Sequence, residues 1–592
     1  MHPLKPMRMP VTRITLAGAV VALVLATACS KGGEESASDA VAATPPTGPV
    51  GDLVVADPDP RIEDLEAVES DTEEVADRLL DLGLVLQARD FGEAADWFAD
   101  DFEGHRLTGL AVAKTETLHL GAQSTVYACE GVAGRKAEFV ADIEQLMGSW
   151  QRCELGLWKV KGAEFQRGGK LRWGKVHVKL HFIGDTQGGG REEIFAWAWL
   201  RMERRAGRWS VTRFQLENFK RIEISGLPFR EVSIAAGVAH RGIRYGKKGN
   251  TEDAWNGAAS GDVNGDGLWD IFLPGYPENF LYINRGDGTF TEEAEARGVV
   301  GPTAGTGALF VDLDNDGDQD LFVAHRAWQD DKQEWHGKTL QAYLNDGQGN
   351  FSNATEQLGL DVHRYGFSAT ALDYDGDGWV DLFVAGYGRV SSEHNDDWIE
   401  SRNGRPNSLF RNMQGKGFED VAPELGLDGT RWTYAGAAAD YDADGDVDLY
   451  VANDFGTNQL WQNQGDGSFR DVAPEMGVTD QGNGMGAAWG DLNGDGRLDL
   501  YVSNMSSTAG NRILSRLWES LPEADRGSLR KAAAGNSVFL ASDDGFERVP
   551  SSAGGVGANW AWSTALTDLD HDGCLDVFCV NGFATGDLPH DT

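Results

Sequence analysis

Gly436-Ala437-Ala438-Ala439-Asp440, Asp448-Leu449-Tyr450-Val451-Ala452-Asn453, Gln459-Leu460-Trp461-Gln462-Asn463 and Phe469-Arg470-Asp471-Val472-Ala473 form one unit of a repeat. Short apolar runs broken by turn residues, here Gly465-Asp466-Gly467 before the last run, predict four short strands. The final element recurs at Phe229, Phe290, Phe351, Phe418, Phe469 and Phe546. The Ala/Gly-rich first run predicts an innermost strand, because strands converging on an axis leave no room for large side chains. Four-stranded units repeated in this way predict radial blades. The expected fold is therefore mainly β: a β-propeller of six four-stranded blades, with seven as the alternative, preceded by a smaller α+β cone-like domain.

Between the first two strands of each unit lies a nine-residue acidic loop, first seen as Asp262-Val263-Asn264-Gly265-Asp266-Gly267-Leu268-Trp269-Asp270. The second places Asp312, Asp314, Asp316, Asp318 and Asp320 at positions 1, 3, 5, 7 and 9, and the third Asp373, Asp375, Asp377, Trp379 and Asp381. The fourth has Asp440, Asp442, Asp444, Asp446 and Asp448, and the fifth Asp491, Asn493, Asp495, Arg497 and Asp499. The sixth has Asp568, Asp570, Asp572, Cys574 and Asp576, and all six carry Gly at position 6.

Two carboxylates about 4 Å apart repel by roughly 4 kcal/mol at an effective dielectric of 20. Three to five on one tight loop therefore call for a cation, and oxygen ligands in that number select Ca²⁺ over Mg²⁺. Glycine at position 6 permits the sharp turn that brings the position 7 carbonyl toward the ion. An EF-hand loop begins in the same way but requires a bidentate Glu at position 12 and a departing helix. Position 12 here is Leu273, Val323, Val384, Val451, Val502 or Cys579, inside β-like runs, which excludes it.

At these residues the chain resembles the FG-GAP and VCBS repeat family, the calcium-binding propeller units also found in integrin α-subunits. The run Asn453 to Asn463 and the strand Gly557 to Trp562 resemble bacterial repeat proteins that often precede an ASPIC/UnbV domain. The resemblance covers roughly Phe229 to Gly582. It implies up to six Ca²⁺ ions, each held by positions 1, 3, 5 and 9 and by the position 7 carbonyl (Leu268, Asp318, Trp379, Asp446, Arg497, Cys574), and it implies no activity. The sixth unit shows only its first two strands. The pattern predicts that Arg221 to Ser225 and Phe229 to Val232 complete it as a hairpin.

Outward from the repeat, the first 222 residues fall into three parts. Lys5, Arg8 and Arg13 precede an apolar stretch from Ile14 to Ala26, which predicts a secretory signal over 1–28. The stretch ends Leu25-Ala26-Thr27-Ala28-Cys29, which resembles a bacterial lipobox; it implies lipidation of Cys29, and Ser30 points to the outer membrane, periplasmic side or cell surface. Simple cleavage at the A-x-A site is the alternative. Residues 29–60, rich in Gly, Ser, Ala, Pro and acids, read as a tether.

Residues 61–222 open with Leu65, Val68, Val75, Leu79, Leu82, Val85 and Leu86 at helical spacing, then switch to period two. Trp173, Val176, Val178, Leu180 and Phe182 largely alternate with Lys175, His177, Lys179 and His181. Helices packed into a curved antiparallel sheet satisfy this order, and the closing Trp209-Ser210-Val211-Thr212-Arg213-Phe214 strand resembles the SnoaL-like, nuclear-transport-factor-like fold. That family implies a small-ligand pocket or a dimer interface. Cys129 and Cys153 form either a disulfide or two buried thiols. Cys574 and Cys579 face opposite ways along one predicted strand and do not bridge.

A net charge of −41 argues against nucleic acid and for divalent cations. No G-x-S-x-G, H-E-x-x-H, Walker loop or dinucleotide fingerprint occurs in the sequence. Arg285-Gly286-Asp287 occupies a slot held by Asn345-Asp346-Gly347 in another unit and reads as a turn. The long connections His325 to Thr339, Gly386 to Asn407 and Asn504 to Gly535 should leave the face opposite the acidic loops. Their aromatic and basic residues, Trp328, Trp335, Tyr387, Trp398, Arg431 and Trp432, are the candidates for ligand contact. The expected role is an exported, lipid-anchored envelope protein that binds a protein or glycan. A calcium-dependent hydrolase or lyase of an extracellular polymer is the alternative.

Overall fold

The computed structural model describes residues 65–581 except 119–120, 130–132, 167–171, 227–228, 240–256, 276–277, 330–333, 389–399, 506–517, 519–522, 533 and 551–560. The expected signal and tether, Cys29 and Trp398 lie outside the described residues. Two compact units divide between Glu231 and Val232.

The N-terminal unit is one curved sheet with helices on its inner face. Helix α1 (Leu65–Gln87) buries Val68, Val75, Leu79, Leu82 and Leu86 on a single stripe, as the 3.6-residue period requires. The strands are β1 (Phe98–His105), β2 (Val112–Thr117), β3 (Gln123–Tyr127), β4 (Ala133–Arg135), β5 (Trp150–Gln166), β6 (Trp173–Thr186), β7 (Arg191–Arg205) and β8 (Arg208–Ile224). They run in the order β2-β3-β8-β7-β6-β5, with β1 parallel to β8 and paired to β4. The helix meets β5 backbone to backbone: a Cβ on Gly83 would stand 2.2 Å from the Gly156 carbonyl oxygen. Helix α2 (Lys136–Leu146) is pinned through Asp142, which accepts from Arg106, the Leu107 N–H and Thr108 at 2.6–2.8 Å. One core holds all of this, with Trp158, Phe98, Phe102, Phe139 and Phe214 in edge or tilted contacts. Cys129 and Cys153 are free thiols, the first half-buried and the second buried; burial pushes them up to about 11 and 12.

Among the described residues the repeat unit contains five four-stranded antiparallel sheets and two two-stranded ones. The first has β9 (Ala259–Gly261), β10 (Asp270–Leu273), β11 (Phe280–Asn284) and β12 (Phe290–Glu292). The second has β13 (Gly307–Val311), β14 (Asp320–Ala324), β17 (Gln341–Asn345) and β18 (Phe351–Asn353); its insertion forms a hairpin of β15 (Ala327–Gln329) and β16 (Trp335–Gly337). The third has β19 (Gly366–Leu372), β20 (Asp381–Gly386), β21 (Ser408–Asn412) and β22 (Phe418–Asp420). The fourth has β23 (Thr433–Ala439), β24 (Asp448–Asn453), β25 (Gln459–Asn463) and β26 (Phe469–Asp471). The fifth has β27 (Gly484–Gly490), β28 (Asp499–Asn504), β29 (Ser537–Ser542) and β30 (Gly545–Arg548), and the sixth β31 (Ala561–Thr567) and β32 (Asp576–Asn581).

The first strand is an edge in every four-stranded sheet, and it packs against the first strand of the next, from β9 through β13, β19, β23 and β27 to β31. Small residues permit this approach: a Cβ on Gly307 would lie 3.1 Å from the Ser368 Cα, and one on Gly486 3.2 Å from the Ser563 Cα. Side chains tie the same strands together, Ser368 Oγ donating to the Tyr434 carbonyl and Trp489 Nε1 to that of Ala437. Each apolar cluster is shared by two consecutive sheets, as with Phe272 and Leu281 of the first against Leu321 and Tyr343 of the second. Bulges near the start of β19, β23, β27 and β31 contribute Phe367, Tyr434, Met485 and Trp562 to one further cluster.

The hairpin expected to complete the sixth sheet does not form. Residues 221–224 are the end of β8, all paired to β7 and 221–223 also to β3. Phe229 to Val232 is not a strand, and Phe229 is exposed. With no third strand beside it among the described residues, β32 leaves Val577, Phe578 and Val580 exposed.

Candidate metal centres

Each acidic loop joins the first strand of its sheet to the second, so all six lie at the same end of their sheets. Local hydrogen bonds set their shape. The position 1 carboxylate accepts the N–H of position 5 on Oδ1 and that of position 6 on Oδ2, at 2.8–3.2 Å throughout. The glycine at position 6 has φ from 83° to 100°, a region closed to most side chains. Position 4 is left-handed as well, at φ 58–76°, and it holds Asn315, Ala443 and His571 in three loops. The sequence reading missed that second constraint; Gly265, Gly376 and Gly494 in the other three were its signal.

Position 9 fastens the loop to the sheet. Its Oδ2 accepts the N–H of position 2 at 2.8–3.2 Å in all six loops. In the first five, Oδ1 accepts an N–H at the end of the third strand, from Asn284, Asn345, Asn412, Asn463 or Ala541, at 2.7–2.8 Å. The amides of Asn345, Asn412 and Asn463 also donate to the position 2 carbonyls of the preceding loops, Val263, Leu313 and Tyr374, linking neighbours in series.

Carboxylate oxygens gather within 4.8 Å in four loops: Asp312, Asp314 and Asp316; Asp373, Asp375 and Asp381; Asp440, Asp442 and Asp448; Asp568, Asp570 and Asp572. Oδ1 of Asp314, Asp318 and Asp375 is shielded from solvent and accepts no hydrogen bond. A hard cation supplies what such oxygens lack. Burial first, then the neighbouring carboxylates, pushes Asp318 up to about 6 and Asp320, Asp381 and Asp448 up to about 7. The first and fifth loops differ, because Asn replaces Asp at position 3. Asn264 Nδ2 donates to Asp266 at 3.0 Å and Asn493 Nδ2 to Asp495 at 3.2 Å. In the fifth, Arg497 also sits on Asp495 at 2.9 Å and on Asp543 at 2.7 Å. The residues therefore fit a cation best in the second, third, fourth and sixth loops.

At the opposite end the structure corrects part of the expected contact set. Trp335 is open to solvent, 38% exposed, and stacks on His363 at 5.5 Å. Trp432 is buried, its Nε1 donates to Asn403 at 2.9 Å, and it packs edge-on to Tyr387 and Phe455. Tyr387 gives its hydroxyl to Asp454 at 2.6 Å, and Arg431 is held by Glu400 at 3.1 Å. These three build the insertion instead of standing open to a ligand, because ring packing and a satisfied polar edge both favour burial. Trp328 belongs to β15. Arg285-Gly286-Asp287 is a hairpin turn, with the Thr289 N–H and hydroxyl both on Asp287. In the N-terminal unit an apolar cavity of about 20 Å³, lined by Leu107, Met147, Trp158, Leu180 and Phe219 among others, has room for about one water, not for a small-molecule ligand.

The FG-GAP-like repeat family matches residues 262–323, 328–384 and 440–502, which hold the first, second, third, fourth and fifth acidic loops. Among known proteins, cartilage acidic protein 1 of Mus musculus is 24% identical over 363 residues, 56% of this chain and 50% of that protein. The Homo sapiens protein is 24% identical over 354 residues, 55% of this chain and 47% of that one. The chain thus spans about half the length of the relatives it matches. Among solved structures, an Agrocybe aegerita lectin that recognises non-reducing terminal N-acetylglucosamine has a TM-score of 0.29 at 15% identity, over 68% of this chain and 85% of its own.

Proposed function

We propose that the repeat unit is a calcium-stabilised six-bladed propeller that serves as a non-catalytic binding scaffold, on an exported protein lipid-anchored through Cys29. The observation that carries it is the serial packing of first strands with every acidic loop at one end and every long insertion at the other. Calcium at the loops would cancel their mutual repulsion and hold the first-to-second strand turns rigid. The insertions at the far end are then left for recognition, with Trp335 as an exposed ring in one and Trp398 in the next along the sequence. Asp, Glu, Gln and His around both rings suit a polar partner, a protein or a glycan.

Glycan and protein arrays probed with the calcium-loaded full chain test this. The expected result is a ligand that is lost on chelation and weakened by Trp335→Ala and Trp398→Ala, without a change in melting temperature. Turnover of a polymer on the array would favour the hydrolase or lyase reading instead. For the anchor, Cys29→Ser should move the protein from the membrane to the soluble fraction, and absence of acyl label on Cys29 would argue for simple secretion.

A further inference from the structure

The open edge of the sixth sheet has a template within the same chain. Strands β31 and β32 pair in the register of β23 and β24, down to a bulge at the corresponding place, so Asn581 stands where Asn453 does. Their surroundings differ. Every residue of β24 is buried, whereas Val577, Phe578 and Val580 of β32 are exposed. Val577 and Phe578 point to opposite faces, so both faces lack the cover that a neighbouring strand gives β24. Asp576 repeats the contrast. In five sheets the position 9 Oδ1 accepts an N–H from the end of the third strand at 2.7–2.8 Å, and Asp576 Oδ1 has no such donor among the described residues.

The sequence that follows β32 repeats the one that follows β24. Asn581, Phe583, Thr585 and Leu588 are identical to Asn453, Phe455, Thr457 and Leu460 at the same spacing, with Asp591 in place of Asn463. In the fourth sheet Asn453 Nδ2 donates to the Thr457 carbonyl at 2.9 Å, and β25 then returns beside β24 with Leu460 opposite Tyr450. A second group is left over on the other side. In all five four-stranded sheets the residue after the fourth strand (Glu293, Ala354, Val421, Val472 or Val549) gives its N–H to a third-strand carbonyl at 2.8–2.9 Å. Val232 holds that place ahead of the first sheet: the helical turn Ser233–Ala236 ends in left-handed Gly237, as the turn after Val472 ends in Gly477. A Cβ on Gly237 would stand 3.1 Å from the Phe290 carbonyl oxygen, and one on Gly477 2.9 Å from that of Phe546. Yet Val232 has no third-strand carbonyl among the described residues, and it is 49% exposed against 1% for Val472.

We propose that residues 587–591, which lie outside the described residues, are a releasable strap that docks on β32 as the third strand of the sixth sheet. Leu588 then lies opposite Phe578, the Asp591 N–H donates to Asp576 Oδ1, and the Leu588 carbonyl accepts from the Val232 N–H. The first two contacts follow from the sheet alone; the third rests on the six-bladed reading, which sets the turn before the first sheet beside the sixth. The strap is the weakest strand of its kind. Pro589 takes the place of Tyr282, Tyr343, Phe410, Trp461 and Phe539 in the five resident third strands. It brings no aromatic ring, and it has no N–H to give to β32, the side toward which residues two before Asp591 must point. Docked, the strap covers an edge that would otherwise pair with another chain; lifted, it opens that edge while the other five sheets stay closed.

The test is hydrogen exchange of the dilute, calcium-loaded full chain, read on peptides spanning β32, with β24 as the internal reference. Exchange in β32 should be at least tenfold faster in L588D and in a chain ended at Gly586, and at least threefold slower in P589Y, which restores the N–H and the ring. Exchange in β24 should not change in any of them, which also shows that each variant is folded. Equal exchange of β32 in the wild type and all three variants would overturn the strap. So would protection that appears only as the protein is concentrated and dimerises, because the strand would then come from a second copy. Peptides spanning 232–238 read the third contact and should respond together with β32. If β32 responds and 232–238 does not, the strap stands and the six-bladed closure falls.

Discussion

The two units solve the same problem, burying apolar surface under antiparallel strands, in opposite ways. Residues 65–224 share one core, in which Trp158 contacts Phe98 and Phe214 and a helix stripe closes the inner face. The repeat unit has no single core of that kind; its main clusters are small and shared by neighbouring sheets, and one small cluster of Phe367, Tyr434, Met485 and Trp562 joins the third to sixth sheets. A chain of nearest-neighbour contacts has stability that is roughly a sum of local terms. Its weakest local terms are the carboxylate clusters, so the repeat unit should depend on ions, whereas the N-terminal unit should not.

The largest effect expected from that contrast is the loss of calcium. At 100 times the dissociation constant each site adds about 2.7 kcal/mol, so four independent sites would add about 11 kcal/mol. Calorimetry in calcium and in chelator should move one transition by tens of degrees and leave the other in place. Movement of both together, or of neither, would break the comparison. The next largest is Trp158→Ala, which opens a cavity in the single core and should cost about 3–5 kcal/mol. It should lower only the calcium-insensitive transition.

A smaller effect concerns protons. In the ion-free fold, burial holds Asp320, Asp381 and Asp448 up at about 7, above the ordinary carboxylate range. The ion-free fold therefore gains relative to the unfolded chain as pH falls from about 7 toward 4, and loses that gain as pH rises again. Calcium needs the ionised form, so its affinity should fall below pH 7 and its binding should release protons there. Titrations in buffers of different ionisation enthalpy measure this, and no proton release at pH 6.5 would contradict it. The smallest effect is that of Ala443→Gly, which relieves a left-handed alanine and should add up to about 1 kcal/mol to the calcium-sensitive transition.

Much of this contrast was legible in the sequence, for reasons that also explain what was not. The Phe elements and the spacing of the loops repeat, and a repeat declares its strands even when each is only three residues long, as at Phe290–Glu292. The left-handed position 4 was obscured because Ala443 and His571 occupy it against propensity. The residues 221–224 were assigned to the wrong sheet because alternating Ile222 and Ile224 fit either one; a period of two fixes the face of a strand but not its partner. Trp432 stands in a connection, where a ring reads as exposed, and only the Asn403 acceptor and the rings of Tyr387 and Phe455 show why it is buried.

Ions at the acidic loops are what the contrast between the units rests on, and native mass spectrometry of the calcium-equilibrated, desalted chain counts them most directly. Four calcium ions should be retained, from the second, third, fourth and sixth loops, with the Asn264 and Asn493 loops filling only at higher calcium. Asp314→Ala, Asp375→Ala, Asp442→Ala and Asp570→Ala should each remove one. A chain that retains no calcium, or the same number in all four variants, would contradict calcium binding at these loops.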